Sequence, residues 1–483
     1  MKKYVLFLAV SITMILTAKS QIDSTIFSQR SFFSTETDSV NSYPHTLGSG
    51  DIDGDGKIDI VVPNSRTNTI SIFRNICASG HTFDSTSFAT RIDITVLNSP
   101  LMATVTDIDN DGKQDIAVSH YNSNFISIFP GSSSIGTISF GTRIDIPAST
   151  NPSYVIFSDL DGDGKPDMIV SNFGAATISF YKNISTTGNI SFDANIDYST
   201  GDGPALIKAV DLNKDGKKDI IVTNYNSNSF SVFKNKSTVG NISFDTAKNF
   251  TSDGGPNGFD VYDVNNDSLP DLAIANSNWG QVSFFQNIST NDTINFIEKI
   301  VLMTGDITQQ LIFSDLDNDG IKDLCVTNRG SNTMTILHYK IGMADSTIYD
   351  KITNFDILGG PLSIVAADMD NNGSMDLVLT NYYSGGITVL TNKMHSSSTG
   401  VNETFFRNEN AITIYPNPFN NILNIPIINN ESLEVVMLYD IIGNLLFSTK
   451  DQIINTNNLS NGTYFIEVKT DKGLHHTKVV KQN

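Results

Sequence analysis

The chain has 483 residues, too many for one ordinary hydrophobic core, and carries 31 Lys plus Arg against 51 Asp plus Glu, a formal charge of −20. With no basic stripe to neutralise phosphates, nucleic acid is not an expected partner. The two cysteines, Cys77 and Cys325, fall at different places in the sequence with no Cys/His metal spacing, so neither a disulfide scaffold nor a zinc site is expected.

Residues 1–20 have the organisation of a secretory signal. Lys2-Lys3 precede an apolar run from Tyr4 to about Thr17, and Ala18-Lys19-Ser20 follow as a small-residue cleavage site. The run is too short to cross a bilayer, and no later segment is long and apolar enough to do so. The mature chain is expected to begin near Gln21.

One acidic stretch is then written seven times, at a spacing of about 52 residues. Its carboxylates and amides fall at positions 1, 3, 5 and 9 of a loop. They are Asp51, Asp53, Asp55 and Asp59; Asp107, Asp109, Asp111 and Asp115; Asp159, Asp161, Asp163 and Asp167; and Asp211, Asn213, Asp215 and Asp219. The remaining copies hold Asp263, Asn265, Asp267 and Asp271; Asp315, Asp317, Asp319 and Asp323; and Asp368, Asp370, Asn372 and Asp376. Three or four carboxylates so close together repel one another. Hard oxygen donors on alternate positions suit Ca2+, with the position-7 carbonyl as a further ligand. Glycine at position 6 supplies the sharp turn. The pattern departs from an EF-hand, whose Glu at position 12 is Val62 in the first copy and whose exiting helix is replaced by Ile60-Val61-Val62. These residues therefore predict up to seven calcium loops set between strands. Asn265 and Ser268 make the fifth loop the expected weakest, and Asn372 weakens the seventh.

Around each loop the order is constant. Pro44, Pro100, Pro152, Pro204, Pro256 and Pro361 stand seven residues before the first Asp, with Thr308 in the sixth copy. A short apolar strand enters the loop and a second leaves it. A turn residue follows, Asn64, Asn172, Asn224, Asn276, Asn328 and Asn381, with His120 in the second copy. A third strand alternates, as in Thr69–Phe73, and a fourth is expected to begin around Ile190–Phe192 and Ile242–Phe244. Four short strands with turns between them form a propeller blade. The leader near 25–35 reads as a lone fourth strand, and the last repeat lacks one. Pairing the two would close the ring and remove its open edge.

These repeats resemble the FG-GAP/VCBS family of seven-bladed β-propellers, the type that also forms the head of integrin α chains. The resemblance covers about residues 25–392. It implies an all-β fold, a seven-bladed β-propeller within 21–395, and calcium ligation by the loop residues named above.

A polar linker is expected at 396–410, followed by a different unit at 411–483. The second unit carries Ile412-Thr-Ile-Tyr-Pro-Asn-Pro418, Leu438-Tyr-Asp-Ile-Ile-Gly443 and Leu459-Ser-Asn-Gly-Thr-Tyr-Phe-Ile-Glu-Val468 on alternating strands, the pattern of a small β-sandwich. It resembles the type A C-terminal sorting domain of the type IX secretion system of Bacteroidetes. That implies passage across the outer membrane and a protein that is secreted or held on the cell surface, with the secretion machinery as a partner.

The loops between second and third strands lie opposite the acidic loops. They carry Tyr121, Phe173, Tyr225, Trp279, Arg329, Tyr382 and Tyr383. Aromatic rings round a pore mouth can stack on sugars while flanking Asn side chains bond hydroxyls. The alternative is that they pack on neighbouring blades. The residues thus predict a binding or adhesion protein for carbohydrate or a surface protein. A polysaccharide lyase built on the propeller and a structural spacer are the competing readings. For a lyase, His120 and Arg329 are the available base and charge neutraliser, in different blades.

Overall fold

The computed structural model describes residues 26–27, 30–36, 41–339, 349–357, 359–394, 414–415, 417, 419–426, 432–439, 445–470 and 473–482. The expected signal at 1–20 and the linker at 396–410 lie outside them. The chain divides into two compact units, Met1–Ser396 and Ser397–Asn483. Every regular element among the described residues is a β-strand, and those residues hold no helix long and apolar enough to cross a membrane.

The first unit contains seven four-stranded antiparallel sheets among its described residues. We number them by the acidic loop each carries. The second sheet is representative: Pro100–Thr106 enters the loop, Asp115–His120 leaves it, and Phe125–Phe129 and Ile144–Pro147 follow. The strand leaving the loop has an apolar run, mostly Ile, Val, Ala and Leu with Met168 and Cys325, and is buried on both faces in every sheet. That burial arises because each sheet is covered by its neighbours on both sides. Ile72 and Ile116 meet between the first and second sheets, Ile169 and Ile220 between the third and fourth. Leu316 and Leu377 meet between the sixth and seventh, and Val62 and Val378 between the first and seventh. The last of these closes the sequence of sheets into a propeller-like ring. Each such side chain removed from water contributes about 1.5–3 kcal/mol.

The ring is also closed by hydrogen bonds. Ser31–Ser34, from the leader, pairs antiparallel with Gly386–Leu390, placing Ser31 opposite Val389 and Phe33 opposite Ile387. Phe27 bridges to Asn392. Phe33 then packs edge-on against Phe88 of the first sheet, with ring centroids 4.7 Å apart.

The fourth strands differ from expectation. They lie at Ile196–Ser199 and Lys248–Thr251, beyond Ile190–Phe192 and Ile242–Phe244. The earlier residues belong to an excursion pinched by bridges Asn183–Phe192 and Asn235–Phe244. Their apolar side chains are spent on the inter-sheet cores, where Ile190, Ile242 and Phe244 are buried, while the true fourth strands are mostly exposed outer edges.

The second unit has a four-stranded sheet, Leu445–Thr449, Leu433–Tyr439, Gly462–Thr470 and Gly473–Lys481 in spatial order, and a two-stranded one, Ile422–Asn424 with Ile453–Asn455. Phe419, Leu423, Val436, Leu438, Ile466 and Val468 form its core.

Candidate functional site

Each acidic loop is folded by its own carboxylates. In the first, Asp51 Oδ1 accepts from the Asp55 N–H at 3.0 Å and Oδ2 from the Gly56 N–H at 2.8 Å. Asp59 accepts from the Ile52 N–H at 2.9 Å and the Asn75 N–H at 2.7 Å. Gly56 and its equivalents Gly112, Gly164, Gly216, Gly320 and Gly373 have φ between 85° and 87°, the left-handed region that glycine enters without a Cβ clash. Ser268 stands there at φ 74°.

The geometry gathers negative charge. Ligand atoms of Asp51, Asp53 and Asp59 lie within 4.8 Å of one another, as do those of the matching residues in the second, third and seventh loops; in the sixth the group is Asp317, Asp319 and His338. In the fourth and fifth loops Asn213 and Asn265 donate to Asp215 at 3.0 Å and Asp267 at 2.9 Å. The position-9 carboxyls are buried. Burial pushes them up, against the pull of their backbone hydrogen bonds, to about 7 at Asp59, Asp271 and Asp376 and about 6 at Asp115, Asp167 and Asp219. Buried Oδ1 atoms of Asp109 and Asp211 have no hydrogen-bond partner. A buried carboxylate oxygen without a donor is costly, and a hard divalent cation at this oxygen-rich position would satisfy it.

Two residue positions beyond the loop act on it and were not singled out from the sequence. The residue after the third strand is a cation in the first, third and fourth copies. Arg74 lies 3.4 Å from Asp53, Lys182 2.7 Å from Asp161, and Lys234 3.6 Å from Asp215. At the matching position, 23 residues after the first Asp, the second, fifth and seventh copies hold Pro130, Gln286 and Thr391. The next residue is a buried asparagine in five copies. Asn75, Asn183, Asn235, Asn287 and Asn392 donate from Nδ2 to the position-2 carbonyls of the preceding sheet's loop, Met369, Ile108, Leu160, Leu212 and Leu316, at 2.7–2.9 Å. The recurrence of Asn 24 residues after the first Asp in five of the seven copies is the available signal.

At the other end of the same strands lies a cavity of about 270 Å³. Residues of all seven sheets line it, so it sits on the ring axis. His45 comes from the first sheet, Tyr121 from the second, Phe173 from the third and Tyr225 from the fourth. Asn257 comes from the fifth, Gln309 and Arg329 from the sixth, and Leu362 from the seventh. Tyr121, Phe173, Tyr225 and Arg329 converge because each directly follows the last residue of a second strand. Trp279 stands two residues later in its loop than that position, which is Ser277. It does not line the cavity; it is 56% exposed and lies against Gly254. Tyr382 is at the matching position but does not line the cavity. Its ring stacks on Tyr43 with centroids 4.7 Å apart and planes 7° from parallel, and Tyr383 lies edge-on to it. Those two rings pack on neighbours.

Polar contacts span the axis. Gln310 Nε2 donates to Tyr154 Oη at 2.9 Å, and Thr46 Oγ1 donates to the same oxygen at 3.3 Å, joining the first, third and sixth sheets. Arg329 lies 5.3 Å over the Tyr382 ring. Burial, reinforced by the Arg329 charge, pushes the His45 imidazole down to about 4. His120 does not line the cavity. It is the last residue of its second strand, fully buried, and burial pushes it down to about 4.

A ring of four-stranded sheets, each with an acidic loop at one end of its strands and a shared axial cavity at the other, defines a repeat propeller. The FG-GAP-like repeat profile matches residues 51–118, 107–170, 159–222, 211–274, 263–326 and 315–379. The chain belongs to the FG-GAP-like repeat family. Residues 413–482 match the secretion system C-terminal sorting domain, which directs export to the outer cell surface or extracellular space. No curated protein matches the sequence. Among solved structures the chain is similar to BBS1N in complex with ARL6DN, soaked with mercury, at 12% identity, TM-score 0.50, covering 75% of this chain and 96% of that one. The lead-soaked form of that complex gives the same identity and TM-score, covering 74% and 96%. A protein from Lactobacillus plantarum is also similar, at 12% identity and TM-score 0.46, covering 66% and 86%.

Proposed function

We propose that the exported chain is a calcium-stabilised binding protein whose ligand, a carbohydrate or a surface protein, seats in the axial cavity. The observation that carries this reading is the convergence of Tyr121, Phe173, Tyr225 and Arg329, from four separate repeats, on one concave site. Function tends to sit on loops held by a rigid scaffold, and a cleft lined by rings with a few polar groups is the usual form of a small-ligand site. Calcium would be held by the carboxylates at loop positions 1, 3, 5 and 9, with amides in the fourth, fifth and seventh loops. It would neutralise the clustered charge at the far end of the strands and so hold the ring in shape.

The test is affinity electrophoresis of the full chain, with calcium, through gels containing a panel of polysaccharides. Retardation that is lost in Tyr225→Ala and Phe173→Ala is expected. Retardation that both variants retain would place binding elsewhere on the molecule.

A further inference from the structure

The axial cavity contains one feature that a purely neutral ligand does not use. Among the described residues that line it, Arg329 is the one Lys or Arg and none is Asp or Glu. Other basic side chains, such as Arg74, Lys182 and Lys208, are drawn into ion pairs. The Arg329 guanidinium has a ring face, that of Tyr382, but neither an ion-pair nor a hydrogen-bond partner among the described residues, and its Nε is buried without an acceptor. A guanidinium presents a planar fork of donors that matches a carboxylate. An acidic protein repels anions at long range, so a binding site for one requires a fixed local cation.

The rest of the cavity fits a sugar ring. Tyr121 and Phe173 have ring centroids 6.0 Å apart and, with Tyr225, offer apolar faces for C–H stacking. Asn257 Nδ2 donates to Gln309 Oε1 at 3.1 Å, an amide pair whose remaining donors and acceptors suit hydroxyl groups. His45 beside Arg329 is neutral near pH 7, so it adds no second charge. The volume falls just short of the roughly 300–1,000 Å³ of drug-sized sites. That admits one sugar residue and not a run of polymer.

We propose that the axial cavity binds a single carboxylate-bearing sugar, free or at the end of a chain, with Arg329 as the counter-charge and the Tyr121–Phe173–Tyr225 rings as the stacking wall. This rests on the reading of the cavity as the ligand site and names the ligand class for it.

The experiment is calorimetric titration of the full chain, in calcium, with glucuronate and galacturonate and with neutral glucose and galactose. The uronates are expected to bind at least about tenfold more tightly than their neutral parents, the scale of one charge-assisted pair. That preference should vanish in Arg329→Gln and return in part in Arg329→Lys. Equal binding of acid and neutral sugars by the unaltered chain, lost in Tyr225→Ala, would overturn the carboxylate assignment and leave the cavity as a ligand site. Absence of binding by every sugar would overturn the carboxylate assignment and the carbohydrate reading of the cavity together. The comparison within the unaltered chain decides the matter even where Arg329→Gln fails to fold, and matching melts of the two chains validate the variant.

Discussion

At Asp59 and its counterparts the proposed calcium and protons would act in opposite directions. Their folded carboxyls are raised by burial from 3.8 to about 6 or 7. Between about pH 4 and 7 the folded chain therefore holds more protons than the unfolded chain. The sign follows: metal-free stability from these groups is fully present below about pH 4 and is lost as pH rises through 6–7. Calcium needs the charged form, so its stabilisation grows over the same window. The chelated protein should melt at a higher temperature at pH 5 than at pH 7.5, with the calcium increment larger at pH 7.5. A chelated chain that gained stability on raising the pH would contradict this. Ser268 gives a second residue-scale prediction. It occupies a turn at φ 74°, and its loop differs from the others in having its position-3 residue, Asn265, exposed. Ser268→Gly should stabilise by about 1 kcal/mol, the cost of a left-handed non-glycine residue, as read from the urea midpoint. A lowered midpoint would show that the hydroxyl contributes more than the strain costs. Lys182 supplies a third. It lies against Asp161 and Asp163 at 2.7 and 3.2 Å, where it would compete with the proposed calcium for the same charge. Lys182→Gln should tighten calcium binding at the third loop, measured by titration against a chromophoric chelator. Weaker binding would mean that the lysine orders the loop for the metal.

At the scale of elements, the strands were legible where their burial is uniform and misplaced where it is not. Ile220-Ile-Val-Thr reads as a strand because both its faces are covered. The apolar pattern places the fourth strand at Ile190–Phe192, yet the ladder runs through Ile196–Ser199, which faces solvent and carries little pattern. An outer strand is specified by pairing, and pairing with the third strand leaves only a faint hydrophobic signal. The asparagines ending the second strands read as turn residues for a related reason. Asn64 is in fact buried, donating to Thr69 and Ser71 hydroxyls at 3.1 and 2.9 Å, contacts that depend on the neighbouring strand. The asparagine clasps between sheets are the elements' own test. Asn235 Nδ2 meets the buried Leu160 carbonyl at 2.9 Å and its Oδ1 accepts from the Ser237 N–H at 2.7 Å. Asn235→Ala leaves both unsatisfied, and a loss of about 2–3 kcal/mol is expected from denaturant unfolding. A change below about 0.5 kcal/mol, the range of ordinary surface substitutions, would refute the clasp.

For the whole molecule, the repeat made the ring legible, because seven acidic loops at one spacing allow few arrangements other than sheets in a circle. The pairing of Ser31–Ser34 with Gly386–Leu390 was legible from a leader with one strand and a last repeat lacking one. The cavity was legible only in part. Tyr121, Phe173, Tyr225 and Arg329 share a repeat position, but His45, Asn257 and Gln309 reach the axis from first-strand segments, and a one-dimensional pattern does not show what meets at an axis. Nor does it show that Tyr43 takes the face of Tyr382. At this scale the sorting domain at 413–482 predicts that deletion of residues 411–483 retains the protein inside the outer membrane, seen by fractionating cells. Normal export of the truncated chain would contradict the assignment.

The most direct test of the account is a calorimetric melt of the full chain at pH 7.5, with calcium and after removal of divalent cations by chelation. A ligand bound only by the folded state raises the melting temperature with its concentration. The account predicts a transition that rises steadily with added calcium and falls on chelation. A melt unchanged by chelation would mean that the acidic loops hold themselves together through their own hydrogen bonds and cations, and that calcium has no part in the ring.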